Sequence, residues 1–209
     1  MKINKESAEL IGALAGDGNI YRKNNKYRMG FTGNKITDKD YFEYLKILIR
    51  KEWKKEAKIV SRERGIRIVI NSKKICLYLT DELKIPFGLN KSLNITIPKP
   101  IKCDWNLAKY FIRGIMDTDG TVFAVRKPRI RKYPSIELTT ISKKLIEEVK
   151  SILESKGFRV SNIWHFVSKP AYTQTYRFGI NGRDNLRKWM KEIGFSNSYK
   201  RDRALSYLD

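Results

Sequence analysis

The chain has 209 residues, with 44 Lys plus Arg against 22 Asp plus Glu, a formal charge of +22. Its 41% hydrophobic and 11% aromatic content excludes a disordered basic tail, which lacks the apolar residues to build a core. Two cysteines and one histidine exclude a disulfide framework, a four-cysteine zinc site and a zinc finger.

In chain order, the first predicted element is a helix from Lys5 to Asp17, with Asn4 as N-cap and Gly18 as stop. Ile20 to Lys23 and Lys26 to Thr32 form a hairpin across Asn24-Asn25, a pair that tolerates turn geometry. The apolar stripe Tyr41, Phe42, Leu45, Leu48 and Ile49 sets a helix over Lys39 to Lys54. A second hairpin joins Lys58–Arg64 to Arg67–Ile70 around Gly65, with Ile66, Ile68 and Ile70 alternating toward a core. A helix over Lys73 to Leu83 follows. Residues 86–104 carry Pro86, Pro98 and Pro100 without a clear period and read as a linker. Asp104 then caps a helix over Trp105 to Asp117. Strands are expected near Thr121–Val125, Ser135–Thr139, Arg159–Phe166 and Thr175–Ile180, around the helical stripe Leu145, Ile146, Val149, Ile152 and Leu153.

This order is a repeat. Leu10-Ile11-Gly12-Ala13-Leu14-Ala15-Gly16-Asp17-Gly18 aligns with Ile112-Arg113-Gly114-Ile115-Met116-Asp117-Thr118-Asp119-Gly120, and Ile70-Asn71 aligns with Ile180-Asn181. Gly12 and Gly16 share one helix face, as do Gly114 and Thr118, and small residues at that spacing let two helices touch backbone to backbone. Asp17 and Asp119 then end the two helices side by side, each at the negative end of its helix dipole and each repelling the other. A divalent cation resolves that conflict, and two carboxylates with phosphate and water oxygens suit Mg²⁺. The alternative is a pair of solvated aspartates before capping glycines.

So large a positive charge calls for an anionic partner, with nucleic acid favoured over a membrane surface because no basic amphipathic helix stands apart. No apolar run approaches the ~20 residues of a membrane span, and the start Met1-Lys2-Ile3-Asn4-Lys5-Glu6 has no signal region; the expected location is soluble and intracellular.

Both aligned segments resemble the LAGLIDADG motif of homing endonucleases, and the doubled unit is similar to the single-chain, two-repeat members of that family. The resemblance implies an α+β fold of two pseudo-symmetric αββαββα repeats, with antiparallel sheets forming a DNA-binding saddle: residues 1–85, the linker 86–104 and residues 105–209. It also implies that Asp17 and Asp119 bind the catalytic metal, Mg²⁺ or another divalent cation such as Mn²⁺, helped by the carbonyls of Gly16 and Thr118. Ala15 departs from the motif where the second copy keeps Asp117. A family lysine beside the scissile phosphate maps to Lys35, with Asn34 as its polar neighbour; Lys143 is a possible substitute in the second copy, where no lysine is in register.

The expected DNA contacts are Arg22, Lys23, Lys26, Arg28 and Asn34 on the first hairpin and Lys58, Arg62, Arg64 and Arg67 on the second. Arg126, Lys127, Arg129, Arg131, Lys132 and Arg177 occupy the other repeat. Any one of these is a phosphate contact before it is a base reader. The expected activity is site-specific double-strand DNA cleavage by a monomer on a long, partly asymmetric site. The alternatives are a non-catalytic nucleic-acid binder on the same fold (an RNA maturase or a transcription regulator) and a structural RNA-binding protein such as a ribosomal component. An intein is disfavoured by the Met1-Lys2 start and the Tyr207-Leu208-Asp209 end.

Overall fold

A computed structural model describes residues 2–61, 63, 65–128, 130–169 and 172–208. Helix α1 (Lys5–Ala15) starts with a reciprocal cap: Asn4 accepts from the Ser7 amide at 2.8 Å, and Ser7 Oγ accepts from the Asn4 amide at 2.8 Å. β1 (Gly18–Lys23) and β2 (Lys26–Asn34) pair through Asn24 and Asn25, whose φ angles of 50° and 56° supply the left-handed pair of a tight hairpin turn. α2 (Lys39–Trp53), β3 (Lys58–Ser61), β4 (Gly65–Asn71) and α3 (Lys73–Leu77) follow, α3 running into a π-helical turn over Tyr78–Glu82. A 3-10 turn at Gly88–Asn90 leads into the short helices α4 (Lys91–Asn94) and α5 (Lys99–Lys102).

The same order then recurs in α6 (Trp105–Thr118), β5 (Gly120–Lys127), β6 (Ile130–Thr140), α7 (Lys143–Ser155), β7 (Trp164–Ser168), β8 (Thr173–Asn181) and α8 (Arg183–Glu192), with α9 (Ser198–Leu205) added at the end. The sheets have matching antiparallel orders, β1-β2-β4-β3 and β5-β6-β8-β7. Two pseudo-symmetric α+β repeats result. Each sheet turns one apolar face to the helices, with Ile20, Met29, Phe31, Ile68 and Ile70 in the first and Val122, Ile136, Leu138, Phe178 and Ile180 in the second, all buried. The opposite faces are open.

α1 and α6 cross at the centre. A Cβ on Gly12 would sit inside contact distance of the Phe111 carbonyl, and one on Gly114 inside that of the Glu9 carbonyl. The helices therefore meet backbone on backbone, which only glycine permits here.

Some elements depart from the sequence expectation. α1 stops at Ala15, so Asp17 lies in the turn that enters the sheet, where its carbonyl accepts from the Thr32 amide at 3.1 Å. The expected linker 86–104 is folded and half buried: Ile95, Ile97 and Ile101 are in the core. It is tied to α7 by Ser142 Oγ donating to the Ile95 carbonyl (2.8 Å) and by the Ile97 amide donating to Glu148 (2.8 Å). Its helices of four residues are too short to show a period. The strand expected from Arg159 begins only at Trp164, Val160 contributing a single bridge to Ile180. Among the described residues no helix is long and apolar enough to cross a membrane.

Candidate functional site

The crossing of α1 and α6 brings both motif ends to one place. A Cβ on Gly16 would stand 3.0 Å from Thr118 Cβ and 3.1 Å from Asp119 Cγ. A cleft of about 320 Å³ opens there, lined by Gly16 and Ala15 of the first repeat and Asp119, Thr139, Thr140 and Thr175 of the second. Burial, followed by the charge of Asp38, pushes the Asp17 carboxyl up to about 6. Burial, followed by the charge of Asp17, pushes Asp119 up to about 7. Among the described residues neither carboxylate accepts a hydrogen bond; both are half-buried and face each other's charge.

The negative helix ends are offset by two lysines. Lys91 Nζ, nearly fully buried, donates to the carbonyls of Leu14 (2.6 Å), Gly16 (3.1 Å) and Gly18 (2.5 Å) at the end of α1. Lys200 Nζ does the same at the end of α6, reaching Met116 (3.0 Å), Asp117 (2.8 Å) and Thr118 (2.9 Å). An ammonium with three donors matches three carbonyls left over at a helix end. Burial lowers the Lys91 pKa to about 8 against the opposing pull of Asp119 and Asp17, and burial lowers that of Lys200 as well. Lys91→Met is expected to destabilise the fold by about 3 kcal/mol, because three carbonyls lose a charged donor and two carboxylates a counter-charge. Urea unfolding reads this, with the exposed Lys39→Met unchanged as control.

The LAGLIDADG-like domain family matches residues 106–194. Among solved structures, the chain aligns with the homing endonuclease I-DmoI in complex with DNA and Ca at a TM-score of 0.65 and 21% identity, covering 97% of this chain and 96% of that one. It aligns with the LAGLIDADG meganuclease I-AabMI bound to uncleaved DNA at a TM-score of 0.59 and 14% identity, covering 99% and 91%. Residues 106–194 thus match a LAGLIDADG-like domain, and the chain as a whole has the two-repeat fold of these structures. It is also 29% identical over 209 residues to the replication factor C small subunit of Methanocaldococcus jannaschii, and 32% identical over 150 residues to that of Pyrococcus horikoshii. The alignments take in 98% and 71% of this chain but only 10% and 14% of those proteins.

The helix crossing carries a buried polar network that sequence patterning missed. Glu9 of α1 is paired with Arg113 of α6 and accepts from Tyr44 Oη (3.1 Å) and Ser196 Oγ (2.6 Å). Asp117, which burial pushes up to about 7, accepts the amides of Ser196 (2.9 Å) and Asn197 (3.1 Å). Asn197 Nδ2 also donates to Asp38 (3.1 Å), so the segment before α9 joins both repeats at the site. One signal for the lysines was present: Ile85-Pro86-Phe87 precedes Lys91 much as Ile193-Gly194-Phe195 precedes Lys200.

The residues expected to contact DNA separate by face. Lys23, Lys26, Arg28, Lys58 and Arg67 stand on the open side of the first sheet, Arg28 over the Tyr21 ring. Arg22 departs from the expectation: strand alternation turns it to the helix side, where it pairs with Asp81 at 2.6 Å. Arg126, Lys127 and Lys132 lie exposed near the tip of the β5–β6 hairpin. Lys127 Nζ sits 3.7 Å from the Tyr133 ring centre, and Lys132 reaches the Ser206 carbonyl at 3.4 Å. Arg177 is on the open face but paired with Glu137. Arg62, Arg64 and Arg129 lie outside the described residues, as does the side chain of Arg131. Asn34 accepts from the Ile36 (2.8 Å) and Thr37 (3.2 Å) amides and so shapes the turn that exposes Lys35. Gly16 and Thr118, expected as carbonyl ligands of a metal, give those carbonyls to Lys91 and Lys200. Lys143 begins α7 at the surface and pairs with Glu147 at 3.9 Å.

Proposed function

We propose that this chain is a LAGLIDADG-type site-specific endonuclease that hydrolyses both strands of duplex DNA with a divalent cation, Mg²⁺ or Mn²⁺. It acts as a monomer of two units, residues 1–85 and 105–209, joined through 86–104, on a long and partly asymmetric site. The observation that carries this reading is the pair Asp17 and Asp119: two half-buried carboxylates from separate repeats, without a hydrogen-bond donor among the described residues, with the charge of Asp17 acting on Asp119. Hard oxygen donors with raised pKa values fit a hard dication, and MnII or MgII is better suited to them than a soft metal. Asp17 and Asp119 would hold it; bound there, such an ion supplies Lewis acidity toward the phosphate and makes water a nucleophile near neutral pH. Lys91 and Lys200 fix the helix ends so that the two carboxylates keep their separation, and Lys35 on its exposed turn is free to meet a phosphate.

The charge distribution supports a duplex on the open sheet faces. Acidic side chains pair with cations on the helical side, as in Lys51–Glu6 (2.7 Å), Lys102–Glu148 (2.9 Å) and Arg50–Glu56 (3.1 Å). The strands of the first sheet contain no acidic residue. A second reading, a non-catalytic nucleic-acid binder such as an RNA maturase or transcription regulator, is favoured by one observation: the Gly16 and Thr118 carbonyls already serve lysines.

The experiment is a plasmid carrying a site selected by binding, incubated with Mg²⁺ and with a chelator. Linearisation only with the cation supports the endonuclease; tight binding with no cut under any divalent ion selects the binder. Affinity is expected to fall steeply with salt. Replacing Lys26, Arg28 and Lys58 by Ala should flatten the slope of log K against log salt by about 2.7, at about 0.9 per phosphate contact. An unchanged slope in the triple variant would place the duplex elsewhere.

A further inference from the structure

The open faces of the two sheets differ in chemistry. The first presents Lys23, Lys26, Arg28, Lys58 and Arg67 with no acid on any of its strands. The second carries one acidic residue, Glu137, and its central cation is neutralised by it: Arg177 Nη1 lies 3.3 Å from Glu137 Oε2.

Arg177 is fixed by its neighbours but keeps a third of its side chain exposed. Trp164, Arg177 and Thr139 form one row across β7, β8 and β6. Arg177 Nε donates to Thr139 Oγ1 at 3.1 Å, and Thr139 itself lines the cleft beside Asp119. The guanidinium carbon stands 5.7 Å from the Trp164 ring centre and 5.1 Å from that of Phe166. Trp164 is 56% exposed and Phe166 38%, two large apolar surfaces on the open face.

A carboxylate here repels phosphates, so this group is badly built for backbone contact and well built for base edges. In the major groove a carboxylate accepts from cytosine N4, an arginine donates to guanine O6 and N7, and apolar side chains pack on the thymine methyl. A guanidinium and carboxylate already fixed against each other lose little freedom on meeting a base pair.

Building on the DNA-binding reading above, we propose that Glu137 and Arg177 are specificity-determining residues that read a C·G pair in the half of the target under the second sheet, with Trp164 and Phe166 contacting a neighbouring thymine methyl. The two half-sites are thus recognised differently: the first by dense phosphate contact and cationic side chains, the second by a neutral, preformed base reader. The carboxylate also rejects wrong sequences, since a guanine or thymine in the cytosine's place presents only acceptors and leaves it unpaired against the duplex.

The test measures binding alone, in the absence of cleavage. Duplexes randomised under the second sheet are selected with the wild type and with Glu137→Gln. The wild type should enrich C·G at one position with thymine beside it. Glu137→Gln should lose roughly tenfold of that discrimination and shift toward A·T, because a carboxamide pairs with adenine N6 and N7. Replacing the neighbouring thymine by deoxyuridine removes only the methyl; it should weaken the wild type severalfold and leave Trp164→Ala unaffected. This substitution interrogates the unaltered protein, so it decides even where a variant folds poorly. Tight binding with an unchanged preference in Glu137→Gln, or indifference of the wild type to deoxyuridine, overturns the assignment of these residues. Failure to bind any duplex overturns the DNA-binding reading itself.

Discussion

Asp17→Asn and Asp119→Asn are each expected to abolish double-strand cleavage while leaving DNA affinity equal or higher, and to make the metal-free protein more stable. The three effects share one cause. Both carboxyls are half-buried without a hydrogen-bond donor among the described residues, and burial raises Asp17 to about 6 and Asp119 to about 7. A folded-state pKa above the unfolded value of about 3.9 means the native state holds protons that the unfolded chain releases, so stability falls as pH rises. The cost is absent below pH ~4, grows through pH ~7 and is complete above it. An amide removes that cost, on the order of 1–3 kcal/mol, at pH 8 and gives little at pH 4. It also removes a charge that repels phosphates, yet it is a poorer ligand for a hard cation. Thermal melts in chelator at the two pH values, with plasmid cleavage in Mg²⁺, read all three. Linearisation by either variant at the wild-type rate would remove that residue from the metal site.

Gly12→Ala and Gly114→Ala are expected to cost about 3 kcal/mol each, the upper end for overpacking, because the added carbon meets backbone rather than a movable side chain. At Gly12 the obstacle is the Phe111 carbonyl and at Gly114 the Glu9 carbonyl. The helices must separate to admit it, and separation strains the Glu9–Arg113 pair and moves Asp17 away from Asp119. Cleavage should therefore fall more than binding, since the sheet faces are carried on other elements. Gly65→Ala is the control: among the described residues its Cβ would meet only the Gly33 carbonyl, at 3.4 Å. Urea midpoints for the three variants check the ranking. Equal losses at Gly65 and Gly114 would mean that the helix crossing does not set the effect.

Sequence alone carried the repeat, the order of elements within it and the pairing of the motifs, because these are written in local periodicity and small-residue spacing. Asn24-Asn25 named its own turn, and the alternation of Ile66, Ile68 and Ile70 named the buried face of β4. Tertiary structure decided the rest. Arg22 and Arg28 are both cations on one hairpin, yet Arg22 points to the helices and to Asp81 because strand alternation places the two side chains on opposite faces. Lys91 and Lys200 each become a helix-end cap only once the chain folds back to bring three carbonyls within reach. Glu137 gained a partner from β8 through a cross-strand neighbour far away in the chain. Periodicity reports which face a residue takes within its own element. Which charge it meets there depends on elements distant in sequence, and their contacts exist only in the folded chain.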